Sequence, residues 1–179
     1  MDETVSTYPK LIRIVHWVSA LVVIAMFAVG LWMVDLTYYS AWYQTAPNWH
    51  RSIGILLALL TLVRMGAKVA MRSPTIQGTA LERRLAHSAH GILYLLLLTM
   101  FVSGYLISTA DGRPIAVFNW FEVPSTGQWF EHQADIAGNV HYYAAWCLIV
   151  LAGFHALAAL KHHFYDHDDT LKKMTGVSK

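Results

Sequence analysis

The sequence is short of cysteine and of charge, with one cysteine and 13% charged residues among 179. The single Cys147 excludes an intrachain disulfide framework and an iron–sulfur or zinc site built on the cysteines of one chain. Because Cys147 lies within an apolar run, we expect it to pack as a small apolar residue. With 56% hydrophobic residues, the composition excludes an ordinary soluble domain, and no nucleic-acid partner is expected.

Four long apolar runs predict an all-α integral membrane protein. A hydrocarbon core about 30 Å thick is spanned by about 20 apolar residues in a helix. Three runs are uninterrupted, and the fourth contains Arg64 and Lys68 near one end, where long basic side chains can reach the membrane surface. The first run is too long for a signal peptide and is expected to be retained. We therefore expect one domain over residues 1–179, a four-helix bundle with helices at about 12–34, 51–71, 87–110 and 138–163.

Basic residues are distributed unevenly between the two sides that these helices define. One side holds Lys10, Arg13, Arg64, Lys68, Arg72, Arg83, Arg84, Lys161, Lys172, Lys173 and Lys179, whereas the other holds Arg51 and Arg113. Cytoplasmic ends retain positive charge, so we expect both termini to lie in the cytoplasm. The outer connection from Asp111 to Asn139 contains two prolines and is expected to form a short lid.

Two histidines, His141 and His155, stand fourteen positions apart in the charge-free apolar run of the fourth predicted helix. In a helix this spacing places both rings on nearly the same face, about 21 Å apart along the axis. One ring is then near each membrane surface. An ionisable side chain at membrane depth is costly and indicates a functional site with a partner.

Depth sorts four histidines into two pairs. His16 begins the first helix on the cytoplasmic side, and His50 begins the second helix on the outer side. The inner pair is therefore His16 with His155, and the outer pair is His50 with His141. A lone histidine in a helix is more often a hydrogen-bonded interior residue than a metal ligand. Two axial ligands of one iron must share a depth on different helices, so the matching favours two b-type haems between the helices.

The same fourteen-residue step indicates further residues beside the expected haems. Gly30 and Arg64 lie fourteen residues beyond the histidine at the start of their own helices. Gly30 then leaves room for a flat macrocycle at the outer level, and Arg64 can reach a haem propionate at the inner level. Gly54 and Gly153, near ligand histidines in sequence, are further positions of close approach. For each glycine, plain helix packing in the membrane is the alternative.

Two imidazoles on one iron leave no open position for oxygen, so a haem held in this way only carries electrons. Two such haems across the bilayer connect an outer with an inner reaction site, and we expect a membrane quinone as one redox partner. Polar residues at the inner edge are candidates for contacting the quinone or moving protons. They are His90, Lys161 and His162, the last of which lies seven residues beyond His155.

The residues also bear on two other functions. A non-catalytic haem-bearing membrane anchor, which relays electrons for a partner dehydrogenase or a periplasmic protein, has the same histidine pattern and stays open. A histidine-lined metal or proton transporter needs polar residues along its path. The four runs contain almost none, which disfavours a transporter.

Segments along nearly the whole chain resemble the bacterial cytochrome b561 family, which has four helices and two haems in the inner membrane. The segments are RIVHW, NWHRSIGILLALLTLVR, HSAHGILYLLLL and VHYYAAWCLIVLAGFHALAALKHHF. The ligand positions of the family fall on His16, His50, His141 and His155. The C-terminal LKHHFYDHDDTLKKMTG is most similar to a subgroup associated with a periplasmic lipocalin-like isoprenoid-binding protein, which the resemblance implies as a partner.

The resemblance also implies an activity. A branch of the family is described as a superoxide oxidase, which takes an electron from superoxide at the outer face and reduces ubiquinone. Positive potential attracts an anionic substrate, yet the outer segments carry more acids than bases. Arg51 and Arg113 are the outer residues able to form a local positive site. The sequence thus predicts quinone-linked electron transfer, with superoxide oxidation as its narrower form.

Overall fold

The computed structural model describes residues 7–176 of the chain. Residues 1–6 and 177–179, which include the first acidic residues and Lys179, lie outside the described part. Within it the elements follow in the order α1 (Lys10–Val34), α2 (Thr45–Ala70), α3 (Ala80–Thr109), β1 (Ile115–Val117), β2 (Phe121–Val123), α4 (Gln133–Phe164) and α5 (Thr170–Thr175).

The helices α1 to α4 are each long and apolar enough to cross a membrane. Large apolar side chains cover their outward faces: Leu21, Val69 and Phe154 are 67%, 91% and 65% exposed. Water would disfavour such a surface, whereas the hydrocarbon of a bilayer is its natural contact. The expected membrane four-helix bundle is therefore confirmed.

The long helices begin earlier than the apolar runs predicted, because their first turns are polar. α3 begins at Ala80 and not near 87. Thr79 Oγ1 accepts a hydrogen bond from the Glu82 backbone N–H (3.3 Å), and the Glu82 carboxylate accepts one from the Thr79 N–H (2.8 Å).

α2 begins at Thr45 and not near 51, with Pro47 in its first turn, where a missing N–H breaks no helical bond. α4 begins at Gln133 and not near 138, after His132 in a left-handed conformation (φ 55°). α1 begins at Lys10, two residues early.

The four long helices associate as two pairs. α1 packs along α2 and α3 packs along α4, whereas α2 with α3 and α1 with α4 make smaller contacts. We call the end of the bundle with the starts of α1 and α3 the basic end, and the opposite end, with β1 and β2, the hairpin end. The looser space between the two helix pairs runs from one end to the other.

At the basic end, α5 lies against α1 and the connection between α2 and α3. Trp17 Nε1 donates a hydrogen bond to the Met174 carbonyl (3.1 Å), and the Tyr8 N–H donates one to the Lys173 carbonyl (3.1 Å). Lys173 Nζ donates to the Thr75 carbonyl (3.0 Å). These bonds fix the C-terminal segment across the ends of the helices.

At the hairpin end, the connection that was expected to form a lid contains a small antiparallel β-hairpin, so the fold is all-α apart from these two strands. Ile115 pairs with Val123, and Val117 pairs with Phe121. Ser52 of α2 holds the hairpin, since its Oγ donates to the Ala116 carbonyl (3.3 Å) and accepts from the Phe118 N–H (3.2 Å). The hairpin is thus attached two residues after His50.

Candidate functional site

Two pairs of histidines face each other across the space between the helix pairs. His16 of α1 and His155 of α4 have ring centres 6.3 Å apart, towards the basic end. His50 of α2 and His141 of α4 have ring centres 6.4 Å apart, towards the hairpin end. The structure brings together the same residues that depth matched, and their role as iron ligands stays a prediction.

The separation within each pair fits a single metal ion between two imidazoles. A metal–nitrogen bond is about 2 Å long and the ring centre lies about 1 Å beyond the nitrogen, so two rings on opposite sides of one ion have centres about 6 Å apart. The Nδ1 atoms of His16 and His50 are buried, and within residues 7–176 neither has a hydrogen-bond partner. Orphaned buried nitrogens are rare and indicate a further group in the site. Two neutral imidazoles are a donor set that b-type haem accepts.

Hydrogen bonding defines the tautomer of His141. Ser103 of α3 is buried, and its Oγ lies 2.6 Å from the Thr99 carbonyl, which can only accept. The hydroxyl proton is therefore used there, and His141 Nδ1, 3.0 Å from the same oxygen, must donate. Nε2 of His141 then keeps its lone pair for a metal, and the ring orientation is held by a neighbouring helix.

A glycine from an adjacent helix lies against each imidazole of the hairpin-end pair. A Cβ at Gly30 would be 3.3 Å from His50 Cε1, and a Cβ at Gly104 would be 3.3 Å from His141 Cε1. Gly30 was singled out from the sequence, whereas Gly104 was missed because α3 carries no ligand from which to count. Of the other two predicted glycines, Gly54 has room for a Cβ, which would make an ordinary contact with Met26 of α1. A Cβ at Gly153 would have no heavy atom within 4 Å.

The space beside His50 is apolar. A cavity of about 310 Å³ lies between α1 and α2, with walls that include Val29, Trp32 and Trp49. Apolar walls around one polar ligand suit a porphyrin, whose ring is hydrophobic and whose iron needs the imidazole.

Near the basic-end pair lie cations and a third histidine. Arg64 of α2 stands with its Cζ 5.6 Å from the ring centre of Tyr94, and Lys68 Nζ lies 5.5 Å from the same ring centre. The ring centre of His90 is 5.2 Å from that of His155. The sequence had placed His90 at the membrane surface, and the structure places it directly beside the histidine pair.

Charged side chains at the basic end form a connected cluster. Lys161 Nζ lies 2.8 Å from a Glu82 oxygen and 2.7 Å from an Asp166 oxygen. His162 Nδ1 lies 2.7 Å from Asp168 and 3.1 Å from Asp166. Glu82, His162 and Asp166 are close enough to share a metal ion, and the Lys161 ammonium pairs with both carboxylates.

The two outer arginines line one polar cavity of about 480 Å³ at the hairpin end. Arg113 Nε donates to Asp111 Oδ2 (2.7 Å), and these hydrogen bonds hold the pKa of the Asp111 carboxyl below its usual value. Arg51 bonds to the Pro47 carbonyl (3.3 Å) and to the Asn48 side chain. Among the described residues, no carboxylate forms an ion pair with Arg51, so its charge dominates the cavity.

Four apolar helices that hold two facing imidazole pairs at two depths are typical of a membrane cytochrome b. The profile of the family described as "Prokaryotic cytochrome b561" matches residues 7–176. The chain therefore belongs to the prokaryotic cytochrome b561 family. Membership implies b-type haem as the cofactor and electron transfer across the membrane as the activity.

Three relatives are similar over most of their length. "Cytochrome b561 homolog 2" of Escherichia coli (strain K12) is 50% identical over 165 residues, which is 91% of this chain and 88% of the relative. "Probable superoxide oxidase CybB" of Yersinia pestis is 29% identical over 163 residues, or 89% and 90% of the two chains. "Cytochrome b562" of Cereibacter sphaeroides is 29% identical over 174 residues, or 93% and 94%.

Proposed function

We propose that this chain transfers electrons across the bacterial inner membrane through two b-type haems, each held by two histidines, and that it reduces ubiquinone. The main support is the pair of imidazole sites at two depths, with ring separations of 6.3 and 6.4 Å. Each bound haem supplies a one-electron carrier. With two imidazoles holding each haem, no position on the iron would be left for oxygen, and the group would only carry electrons.

The proposed orientation puts the basic end in the cytoplasm and the hairpin end in the periplasm. The basic end has most of the lysines and arginines, as cytoplasmic ends of membrane proteins do. The hairpin end is then the surface that meets a periplasmic isoprenoid-binding partner, as the sequence resemblance implies.

At the basic end, we assign the quinone-linked steps to His90, Lys161 and His162. Reducing a quinone to a quinol takes two electrons and two protons. We assign the uptake of protons from the cytoplasm to His162, which is in contact with Asp166 and Asp168. Lys161 keeps α3 and α4 together beside it, and His90 lies next to the haem ligand His155.

At the hairpin end, we propose superoxide as an electron donor. The name of the Yersinia pestis relative supports this activity. Two superoxide anions lose one electron each to give two molecules of oxygen, and one quinone takes both electrons with two protons. The polar cavity next to Ser52, two residues from His50, supplies an entry for a small anion, and Arg51 supplies its positive charge.

Replacing Arg51 by glutamine is expected to slow the reaction with superoxide about threefold at low ionic strength, the effect of one unit charge roughly 6 Å away in water. The difference should shrink as salt is added. Stopped-flow reduction of the purified protein by superoxide measures both the rate and its dependence on salt. The matched control is Arg113→Gln combined with Asp111→Asn, which removes a neutral ion pair and should leave the rate near that of the parent. An unchanged rate for Arg51→Gln at low salt would contradict the steering role.

The proposal as a whole is tested by absorption spectra of the purified protein before and after dithionite, together with a pyridine haemochrome assay. We expect low-spin b-type bands and two haems per chain. A missing b-type band, or a single haem per chain, would overturn the two-haem function.

A further inference from the structure

We propose that Lys68 and Tyr94, together with Arg64, form the carboxylate site for the propionates of the haem held by His16 and His155. This inference rests on the proposed function, because it requires a haem at the basic-end pair. It adds two cofactor-positioning residues, neither of which the histidine spacing indicates.

The three side chains meet where α2 faces α3. Arg64 and Lys68 are one helical turn apart on α2, and both stand over the same ring of α3. Arg64 Cζ is 5.6 Å and Lys68 Nζ is 5.5 Å from the ring centre of Tyr94. Contact with an aromatic face can hold a cation in place, but it leaves the charge of the cation uncompensated.

No compensating negative charge is found beside these two cations among the residues that the structure describes. Lys161, Lys172 and Arg113 each have a carboxylate within ion-pair distance. Across residues 7–176, neither Arg64 nor Lys68 forms such a pair, although they are neighbours of like charge. Like charges near a low-dielectric interior repel and are normally accompanied by an anion.

Tyr94 gives a second, independent observation. Its hydroxyl oxygen is buried and has no hydrogen-bond partner among the described residues. Burying a hydroxyl without a partner is unfavourable, so an acceptor is expected beside it. A phenol and two cations around one place together form a site for carboxylate oxygens.

The position of the site selects the propionates as the anion. Tyr94 lies one helical turn beyond His90, whose ring centre is 5.2 Å from that of His155. A haem has two propionates on one edge of its ring, which matches two cations side by side. A phosphate group of an anionic lipid is the alternative anion, and the experiment below separates the two.

The test uses the purified holoprotein and compares Lys68→Gln and Tyr94→Phe with the parent. The matched control is Arg72→Gln, which removes the same unit charge four residues further along the chain, beyond the end of α2. A nearby positive charge favours the reduced haem, so Lys68→Gln should lower the reduced-to-oxidised ratio of the basic-end haem about threefold to tenfold at a fixed potential. Since tenfold is 59 mV for one electron, the midpoint falls by about 30 to 60 mV. Tyr94→Phe should lower it less, and the other haem and the control should stay unchanged.

Infrared difference spectra upon reduction supply a direct readout. With haem labelled with ¹³C in the propionate carboxyls, both variants should shift the labelled bands. If both haems are present but neither the potential nor the labelled bands change, the inference is wrong and the proposed function stands. A potential that responds to lipid removal, with unshifted propionate bands, would assign the site to a lipid phosphate and also overturn it. A parent protein without a haem at the His16–His155 pair would overturn the proposed function, and this inference with it.

Discussion

Replacing His50 by alanine is expected to remove the haem at the hairpin end and leave the haem at the basic end in place. The two imidazole pairs share the helix α4 but use different partner helices, with ring separations of 6.3 and 6.4 Å. Loss of one axial ligand therefore affects one site directly. His16→Ala should do the reverse. The pyridine haemochrome assay should fall from two haems per chain to one, and redox titration should show which component is lost.

The neighbouring histidines give this prediction its controls. His87, on the exposed side of α3, should be replaceable by alanine with both haems retained. His90 is the sharper comparison, because its ring centre is 5.2 Å from that of His155, nearer than that of His16. If His90→Ala removed the basic-end haem and His16→Ala did not, the pairing of His16 with His155 would be wrong.

The histidine pairs could be predicted from the sequence because a membrane restricts the geometry. A helix rises about 1.5 Å per residue and the spans run antiparallel, so the position of a residue within its span gives its depth. Depth alone matched His16 with His155 and His50 with His141, and it put Gly30 beside the hairpin-end pair. These inferences need no knowledge of how helices are rotated against each other.

The missed residues are those that depend on rotation and register between helices. Ser103 and Gly104 act on His141 from α3, a helix without a ligand of its own, so no spacing within α3 indicates them. Tyr94 could not be recognised from the sequence, because only the packing of α2 against α3 brings its ring beneath two cations. The sequence of α3 did contain a weaker indication of these residues, since Ser, Gly and Tyr within an apolar helix are small or polar and favour interhelical contacts.

The polar ends were predicted least well, since hydropathy measures only what lies in the hydrocarbon. The capping box at Thr79 and Glu82 extends α3 by about two turns, and its pattern of a threonine followed three residues later by a glutamate was present in the sequence. The β-hairpin was not signalled, because its loop places Phe118 and Asn119 at positive φ. Those conformations are supported by the bond between the Phe118 N–H and Ser52, a contact between distant parts of the chain.

Replacing Gly104 by leucine is expected to weaken haem binding at the hairpin end while the basic-end haem is retained. A Cβ at this position would lie 3.3 Å from His141 Cε1, closer than side chains comfortably approach. The rest of a leucine side chain would push the imidazole away from His50 and strain its bond to Ser103. Disturbing a group that orients a metal ligand typically costs about 10- to 100-fold in affinity.

Gly30→Leu should have the same effect from the opposite side of the site, because a Cβ at Gly30 lies 3.3 Å from His50 Cε1. Alanine at either position should be milder, since a shift of a few tenths of an ångström of the imidazole can relieve the contact. The matched control is Gly66→Leu on α2, where no heavy atom lies within 4 Å of the place of the Cβ. Haem binding by these glycine variants is measured by titrating haem into the apoprotein and by recording the haem content of membranes. Retention of the basic-end haem separates a local effect from misfolding. Two normal haems in both leucine variants would show that the glycines serve helix packing and leave no special room for the cofactor.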